Sequence, residues 1–163
     1  MKAWEHPKQK MRYWLMKSEP SEMSIDDFAA MPEQTVAWDG IRNYQARNFM
    51  RNQMGIGDLV FFYHSCCAQP GITGLADVTK LAYPDATQFD SSSKYYDPKA
   101  TQQNPRWFNV EVKLVKKTRL VTIKELRQYP ELSKMRILQI GNRLSITPID
   151  PAEWKFILAL QNK

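Results

Sequence analysis

The chain of 163 residues predicts an α+β domain, a small mixed β-barrel with helices packed around it. Three features predict it. Strand-type segments recur along the chain, from the unbroken apolar run Leu59–Tyr63 to the alternation of Phe108, Val110, Val112 and Leu114 with Asn109, Glu111 and Lys113. Helix starts are signalled by side chains that can cap free backbone N–H groups. The connections vary in length and show no strand–helix–strand rhythm, which favours antiparallel strands.

Residues 1–10 are polar and aperiodic and are expected to be a flexible extension, ahead of one domain over residues 11–163. Arg12–Lys17 reads as the first strand. Ser24, with Asp27 three residues on, opens a short helix whose Ile25, Phe28 and Met31 share one face, and Pro32 ends it. Thr35–Trp38 is a short strand. Asn43–Gln53 is helical, with Ala46, Phe49 and Met50 at helical spacing, and Gly55 and Gly57 stop it. Leu59–Tyr63 is a strand buried on both faces, and Gly55-Ile56-Gly57-Asp58 is the tight turn leading into it. Ile72–Leu81 is a long strand in which Gly74 marks a bulge or a close backbone approach.

Residues 84–105 are loop-like, broken by Pro84, Pro98 and Pro105, but they carry Tyr95-Tyr96-Asp97-Pro98, too aromatic for a plain linker. Thr122 and Glu125 form a second capping box, for a helix ending before Pro130. A further helix is expected from Glu131 to Ile140, stopped by Gly141, then a short strand Leu144-Ser145-Ile146. Asp150-Pro151-Ala152-Glu153 begins a last helix with a cap, a proline at its first position and an acid three residues on. Trp154, Ile157 and Leu158 are its expected buried stripe.

At 43% hydrophobic the chain can bury a core, yet no apolar run approaches the roughly 18 residues a membrane span needs. No membrane association is expected, and a cytoplasmic or, in a eukaryote, nuclear place is the simplest reading. Cys66 and Cys67 are adjacent and have neither disulfide nor metal spacing. No metal and no cofactor are expected, and the chain is read as a monomer.

Net charge is +6. Residues 1–82 carry nine basic and nine acidic side chains, and residues 83–163 carry fourteen and eight, so the excess lies in the second half. It is densest at Lys113, Lys116, Lys117, Arg119, Lys124 and Arg127. A basic face attracts polyanions, of which nucleic acid is the commonest, although a solvated lysine-rich surface would look the same.

The block Trp38-Asp39-Gly40-Ile41-Arg42-Asn43-Tyr44-Gln45-Ala46-Arg47-Asn48 sets aromatics, guanidinium groups and amides around one turn-forming glycine. Buried unpaired amides cost about 1–3 kcal/mol each, so this is no core element. Flat rings beside amides suit a planar hydrogen-bonding ligand such as a nucleobase. Asp39-Gly40 is read as only turning the chain. Lys17-Ser18-Glu19-Pro20, where Pro20 ends the first strand, is either a structural turn or a ligand contact. His64 reads as a hydrogen-bonding group at a strand end, and no nucleophile–base pair accompanies it. Trp38, Tyr63, Tyr95, Tyr96 and Trp107 could each stack on a base or pack in the core.

Three segments resemble the EVE domain family: Tyr13-Trp14-Leu15-Met16-Lys17-Ser18-Glu19-Pro20, the Trp38–Asn48 block, and Phe62-Tyr63-His64-Ser65. So do Gly71–Ala76, Asp97-Pro98, Pro105–Phe108 and Arg143–Ile149, in family order from about Met11 to Leu160. The resemblance implies a PUA-like fold and a non-enzymatic nucleic-acid-binding domain that reads a modified base, such as methylated or oxidised cytosine, in DNA or RNA. It implies a base pocket of Lys17, Ser18, Trp38, Asn43, Tyr63, His64, Ser65, Trp107, Leu144 and Ser145. Cys66 stands where relatives often have Asn. The base would be flipped out and stacked on Trp38, with Arg42, Arg47, Lys113, Lys116, Lys117 and Arg119 on phosphates. Two other readings stay open: an enzyme acting on a nucleotide or modified base with His64 as acid or base, and a binder of a small aromatic metabolite.

Overall fold

In the computed structural model, which describes residues 11–163, six strands form one mixed sheet. The expected 1–10 extension lies outside the described residues. The strands are β1 (Tyr13–Ser18), β2 (Thr35–Ala37), β3 (Leu59–His64), β4 (Gly71–Pro84), β5 (Phe108–Thr122) and β6 (Ile146–Ile149), in spatial order β2-β5-β4-β3-β1-β6. The fold is mixed α+β. No ladder joins β2 to β6 among the described residues, so the hydrogen-bonded sheet is not closed into the small mixed β-barrel that was expected.

All pairs are antiparallel except β1 with β3, which run parallel with Trp14 beside Val60 and Ser18 beside His64. This corrects the all-antiparallel expectation. The segment between β1 and β3 is long enough to carry the chain back before β3 begins, as a parallel pair requires. The alternation of β5 was legible only to Leu114, but the strand continues to Thr122 by pairing with the start of β4. Its ladder with β4 slips register repeatedly, once between Ile72 and Gly74, and such bulges bend both strands. Gly74 answers both expectations at once: a Cβ there would sit 2.5 Å from Ile25 Cδ1.

Alternating side chains divide the core between the two sheet faces. Trp14 and Met16 of β1 and Phe62 of β3 point to one face, Leu15, Phe61 and Tyr63 to the other. The first face is covered by α1 (Ile25–Ala30), α2 (Tyr44–Asn48) and a π-turn over Phe49–Gln53, through Phe28, Ala46, Phe49 and Met50. The expected single helix over Asn43–Gln53 is thus split, with Met54 N–H donating to Phe49 O, five residues back. The second face is covered by α3 (Ile123–Leu126) and α4 (Pro151–Gln161). Trp154 stacks on Phe61 with ring centroids 3.8 Å apart. Leu160, rather than the half-buried Leu158, completes the buried stripe of α4.

The helix expected over Glu131–Ile140 is instead two 3-10 turns, Pro130–Leu132 and Arg136–Leu138. Its buried residues, Leu132, Met135 and Ile137, do not hold one helical spacing, and Gln139 Nε2 folds back to donate to Ser133 O and Met135 O. The last strand starts at Ile146, so Leu144 and Ser145 precede it.

Candidate nucleic-acid interface

The parallel pairing of β1 with β3 brings the C-terminal ends of both strands to one edge of the fold. Ser65 N–H donates to Ser18 O at 3.0 Å, and Lys17 N–H donates to Ser145 O at 2.8 Å, joining three segments of the predicted site through their backbones. The chain leaving β2 closes the other side, with Trp38 N–H donating to Val110 O at 2.8 Å. Between them opens a cleft of about 710 Å³. Of the predicted base-pocket residues, Lys17, Ser18, Trp38, Ser65 and Ser145 line it. They are joined by residues outside that set, among them Glu22, Met23, Val36, Asp39, Ile41, Cys66, Lys94, Tyr95 and Arg143.

The cleft mixes charge with apolar surface. Lys17 is half-buried and makes no ion pair among the described residues. Burial lowers its pKa, opposed in part by Cys66. Ser18 Oγ donates to Met23 O at 2.7 Å and keeps its lone pairs free to accept. Asp39 has surface open to solvent, yet the protein crowding its carboxyl, and then the nearby Asp85, raise its pKa. Lys94 is paired with Glu22 across the cleft wall. Trp38 is only 6% exposed and meets Phe62 edge-on at 5.8 Å, so it is a wall anchored in the core rather than a free plate.

Gly40 fixes how the Trp38 block leaves the strand. Its φ of +81° is a left-handed conformation, and a Cβ there would lie 2.7 Å from the Tyr95 ring. Gly40 N–H donates to Asp85 Oδ2 at 2.8 Å, and the same carboxylate takes Arg42 at 3.0 Å. Burial alone would raise the pKa of Asp85, but bonds from Thr87, Gly40 and Arg42 hold it below 3.8.

The remaining predicted base contacts lie elsewhere. Asn43 caps α2, its Oδ1 accepting from Ala46 N–H at 2.9 Å. His64 Nε2 accepts from Ile25 N–H at 3.0 Å, so it caps α1 beside Ser24. Burial lowers the pKa of His64, against the pull of Asp26. Tyr63 is 3% exposed, faces a second hollow, and has its pKa pushed up to about 12, first by burial. Leu144 packs against the core. Trp107 donates Nε1–H to Asp97 at 2.8 Å and stacks on Tyr44 at 4.9 Å.

The predicted phosphate contacts divide in the same way. Every N–H of Arg42 is used, on Tyr95 O twice, Ile41 O, Asp85 and Thr87 Oγ1. Arg47 bonds Asn48 Oδ1 and Arg106 O and lies over Tyr44 at 4.7 Å. Arg119 forms a two-point pair with Glu125 and donates to Leu160 O. That pairing takes the carboxylate expected to complete the second capping box, of which only the bond donated by Glu125 N–H to Thr122 Oγ1 is present. Lys117 pairs with Asp26 at 2.5 Å. Lys113 and Lys116 are exposed and make no ion pair among the described residues. Arg143 on the cleft and Arg127 in the adjacent hollow are free in the same sense, and sequence reasoning did not assign Arg143 to phosphate.

A cleft built from the ends of β1 and β3, the Trp38 block and the segment before β6 uses the same segments that carry the family resemblance. The EVE domain family model matches residues 12–160. The chain belongs to the EVE domain family. Human thymocyte nuclear protein 1 is 43% identical over 168 residues, 93% of this chain and 74% of that protein. A solved structure of human THYN1 protein in complex with DNA containing 5-methylcytosine superposes with a TM-score of 0.88 at 43% identity, covering 93% of this chain and 98% of that one. A Pseudomonas putida protein gives a TM-score of 0.87 at 47% identity, over 91% and 99% of the two chains.

In this EVE domain Cys66 has φ +53°, a left-handed conformation in which Asn is much favoured over other side chains. The backbone therefore explains why an Asn would suit that position without any ligand contact. Among the described residues no group of three or more His, Cys, Asp and Glu side chains gathers for a metal, and no helix is long and apolar enough to cross a membrane.

Proposed function

We propose that this EVE domain is a non-enzymatic reader of modified cytosine in DNA, drawing the base out of its stack into the cleft beside Trp38. The observation that carries the reading is the related human THYN1 protein in complex with DNA containing 5-methylcytosine, at 43% identity. The cleft chemistry supports it. An extruded base is read along its Watson–Crick edge. Cytosine offers two acceptors, O2 and N3, and one donor, the N4 amine. Lys17 donates to the acceptors and Asp39 accepts from the amine, an arrangement that would reject thymine, whose O4 accepts where cytosine donates. The 5-methyl group meets Met23, Val36 and Ile41. Trp38 and Tyr95 bound the ring, and Ser18 and Ser145 supply secondary contacts.

In this reading Asn43, His64, Trp107 and Leu144 hold the cleft in shape, while Arg42 and Arg47 brace the block from which Trp38 projects. Phosphates fall to Arg143 and Arg127, which line the cleft and the hollow, while Lys113 and Lys116 line neither.

The test is a titration of wild-type protein with oligonucleotides differing only in the methyl group of one cytosine, in parallel with Trp38→Phe. Trp38→Ala is unsuitable, because removing a buried Trp costs roughly 3–5 kcal/mol of stability. Wild type is expected to prefer the methylated strand, and Trp38→Phe to lose most of that preference while melting cooperatively. Equal affinity of wild type for both strands sinks the reading.

A further inference from the structure

We infer that Ile140 is a wedge that enters the DNA duplex beside the cleft and fills the gap left by the extruded base. The inference rests on the base-reading function proposed above and names a residue that would serve that function on duplex DNA and does not line the cleft.

Ile140 is fully exposed, at 105% of the reference accessibility, although isoleucine is among the residues most often buried. A lone exposed apolar side chain is ordinary; the placement and support of this one are not. It stands at the tip of residues 139–143. Gly141, with φ +82°, turns the chain directly after it. The base of the loop is tied down on both sides. Gln139 Nε2 donates to Ser133 O and Met135 O, Asn142 Nδ2 donates to Arg136 O, and Asn142 Oδ1 accepts from Leu144 N–H at 3.0 Å. The loop is built to hold its tip outward rather than to fold Ile140 onto the protein.

The tip also stands at the right place. Ile140 lines a hollow of about 550 Å³ together with Lys17, Ser65 and Cys66, and these three residues line the base cleft as well. Wedge and cleft are therefore neighbours across one shared wall. Arg143, three residues on, lies on the cleft, and Arg127 lies in the hollow, so cations flank the apolar tip. Drawing a base from a duplex leaves its neighbours unstacked, and proteins that deform DNA commonly insert Ile, Leu, Phe or Met between base steps. A single strand has no such gap to fill.

The experiment compares wild type, Ile140→Ala and Ile140→Met by fluorescence anisotropy on two ligands, a duplex with one 5-methylcytosine and the same methylated strand alone, with the unmethylated strand as the reference for wild type. Ile140→Ala is expected to weaken duplex binding by about tenfold and single-strand binding by less than about twofold, with Ile140→Met close to wild type. A 2-aminopurine placed next to the methylcytosine is expected to brighten on binding wild type and much less on binding Ile140→Ala. Equal losses on both ligands, or no loss on the duplex, overturn the wedge while leaving the base reading intact. Failure of wild type to prefer the methylated single strand over its plain counterpart overturns the base reading and the wedge with it.

Discussion

His64 Nε2 can accept the Ile25 N–H only while the ring is neutral, because a protonated imidazole has no acceptor. Burial lowers its pKa from the ordinary 6.5. On acidification the unfolded chain therefore takes up this proton before the folded one does. The stability contributed by the cap is complete above pH 6.5 and is lost as pH falls from there through the lower native value, with no further loss below it. Asp85 and Asp97, both held below 3.8, give up their contributions only at much lower pH, so the His64 step is separable. His64→Ala is expected to cost about 1 kcal/mol at pH 7.5 and to flatten the stability profile below pH 6.5, as read by chemical denaturation across pH. Oligonucleotide affinity at pH 7.5 should change little. A large loss of affinity with unchanged stability would return His64 to the base pocket. The sequence marked His64 as a polar group at a strand end, but only the parallel pairing of β1 with β3 sets that end under the first turn of α1.

The segment between β4 and β5 owes its order to side chains that replace missing sheet bonds. Gln88 is fully buried: its amide N–H groups donate to Asp85 O and Trp107 O, and its Oε1 accepts from the N–H groups of Arg106 and Trp107. Arg42 then ties this segment to the Trp38 block through Tyr95 O, Thr87 and the buried Asp85. Removing one partner of a buried pair strands the other, so Arg42→Ala is expected to lower unfolding free energy by about 3 kcal/mol, measured from the denaturant midpoint. Unchanged stability with a shallower salt dependence of DNA binding would instead make Arg42 a phosphate contact. Elements whose signals are local were legible: the Ser24–Asp27 and Asp150–Glu153 boxes formed as read. What depended on distant partners was not. Arg42, Asn43 and Arg119 have the chemistry of ligand contacts, and only their neighbours in space show that Arg42 and Arg119 are held by carboxylates and backbone carbonyls and that Asn43 Oδ1 caps α2. The helix expected after Glu131 failed for a related reason, since its apolar residues serve a core that two short turns fill better than one helix.

Across the whole molecule the excess positive charge is less available than its count suggests. Arg42, Lys94, Arg106, Lys117 and Arg119 each face a carboxylate. Among the described residues, the unpaired cations that line the cleft or the adjacent hollow are Lys17, Arg127 and Arg143, which come from β1, the turn after α3 and the loop before β6. Sequence charge alone pointed to the stretch from Lys113 to Arg127, most of it on β5, and so reached Arg127 but neither Lys17 nor Arg143, because clustering along the chain is visible in sequence and convergence in space is not. The two placements differ in what salt does to binding. Each phosphate neutralised on duplex DNA adds about −0.9 to the slope of log affinity against log salt concentration. With Lys17 on the base, Arg127 and Arg143 together give an expected slope of about −2 for the methylated duplex. Arg143→Gln is expected to reduce that slope by about 1 and to weaken methylated and plain duplexes alike, because a phosphate contact carries no sequence information. Lys113→Gln and Lys116→Gln should leave the slope close to its original value, since neither residue lines the cleft or the adjacent hollow. The opposite pattern, with the slope unchanged in Arg143→Gln and reduced in the β5 variants, would move the DNA backbone off the cleft rim and onto the sheet. It would also remove the flanking cations that align a duplex with Ile140.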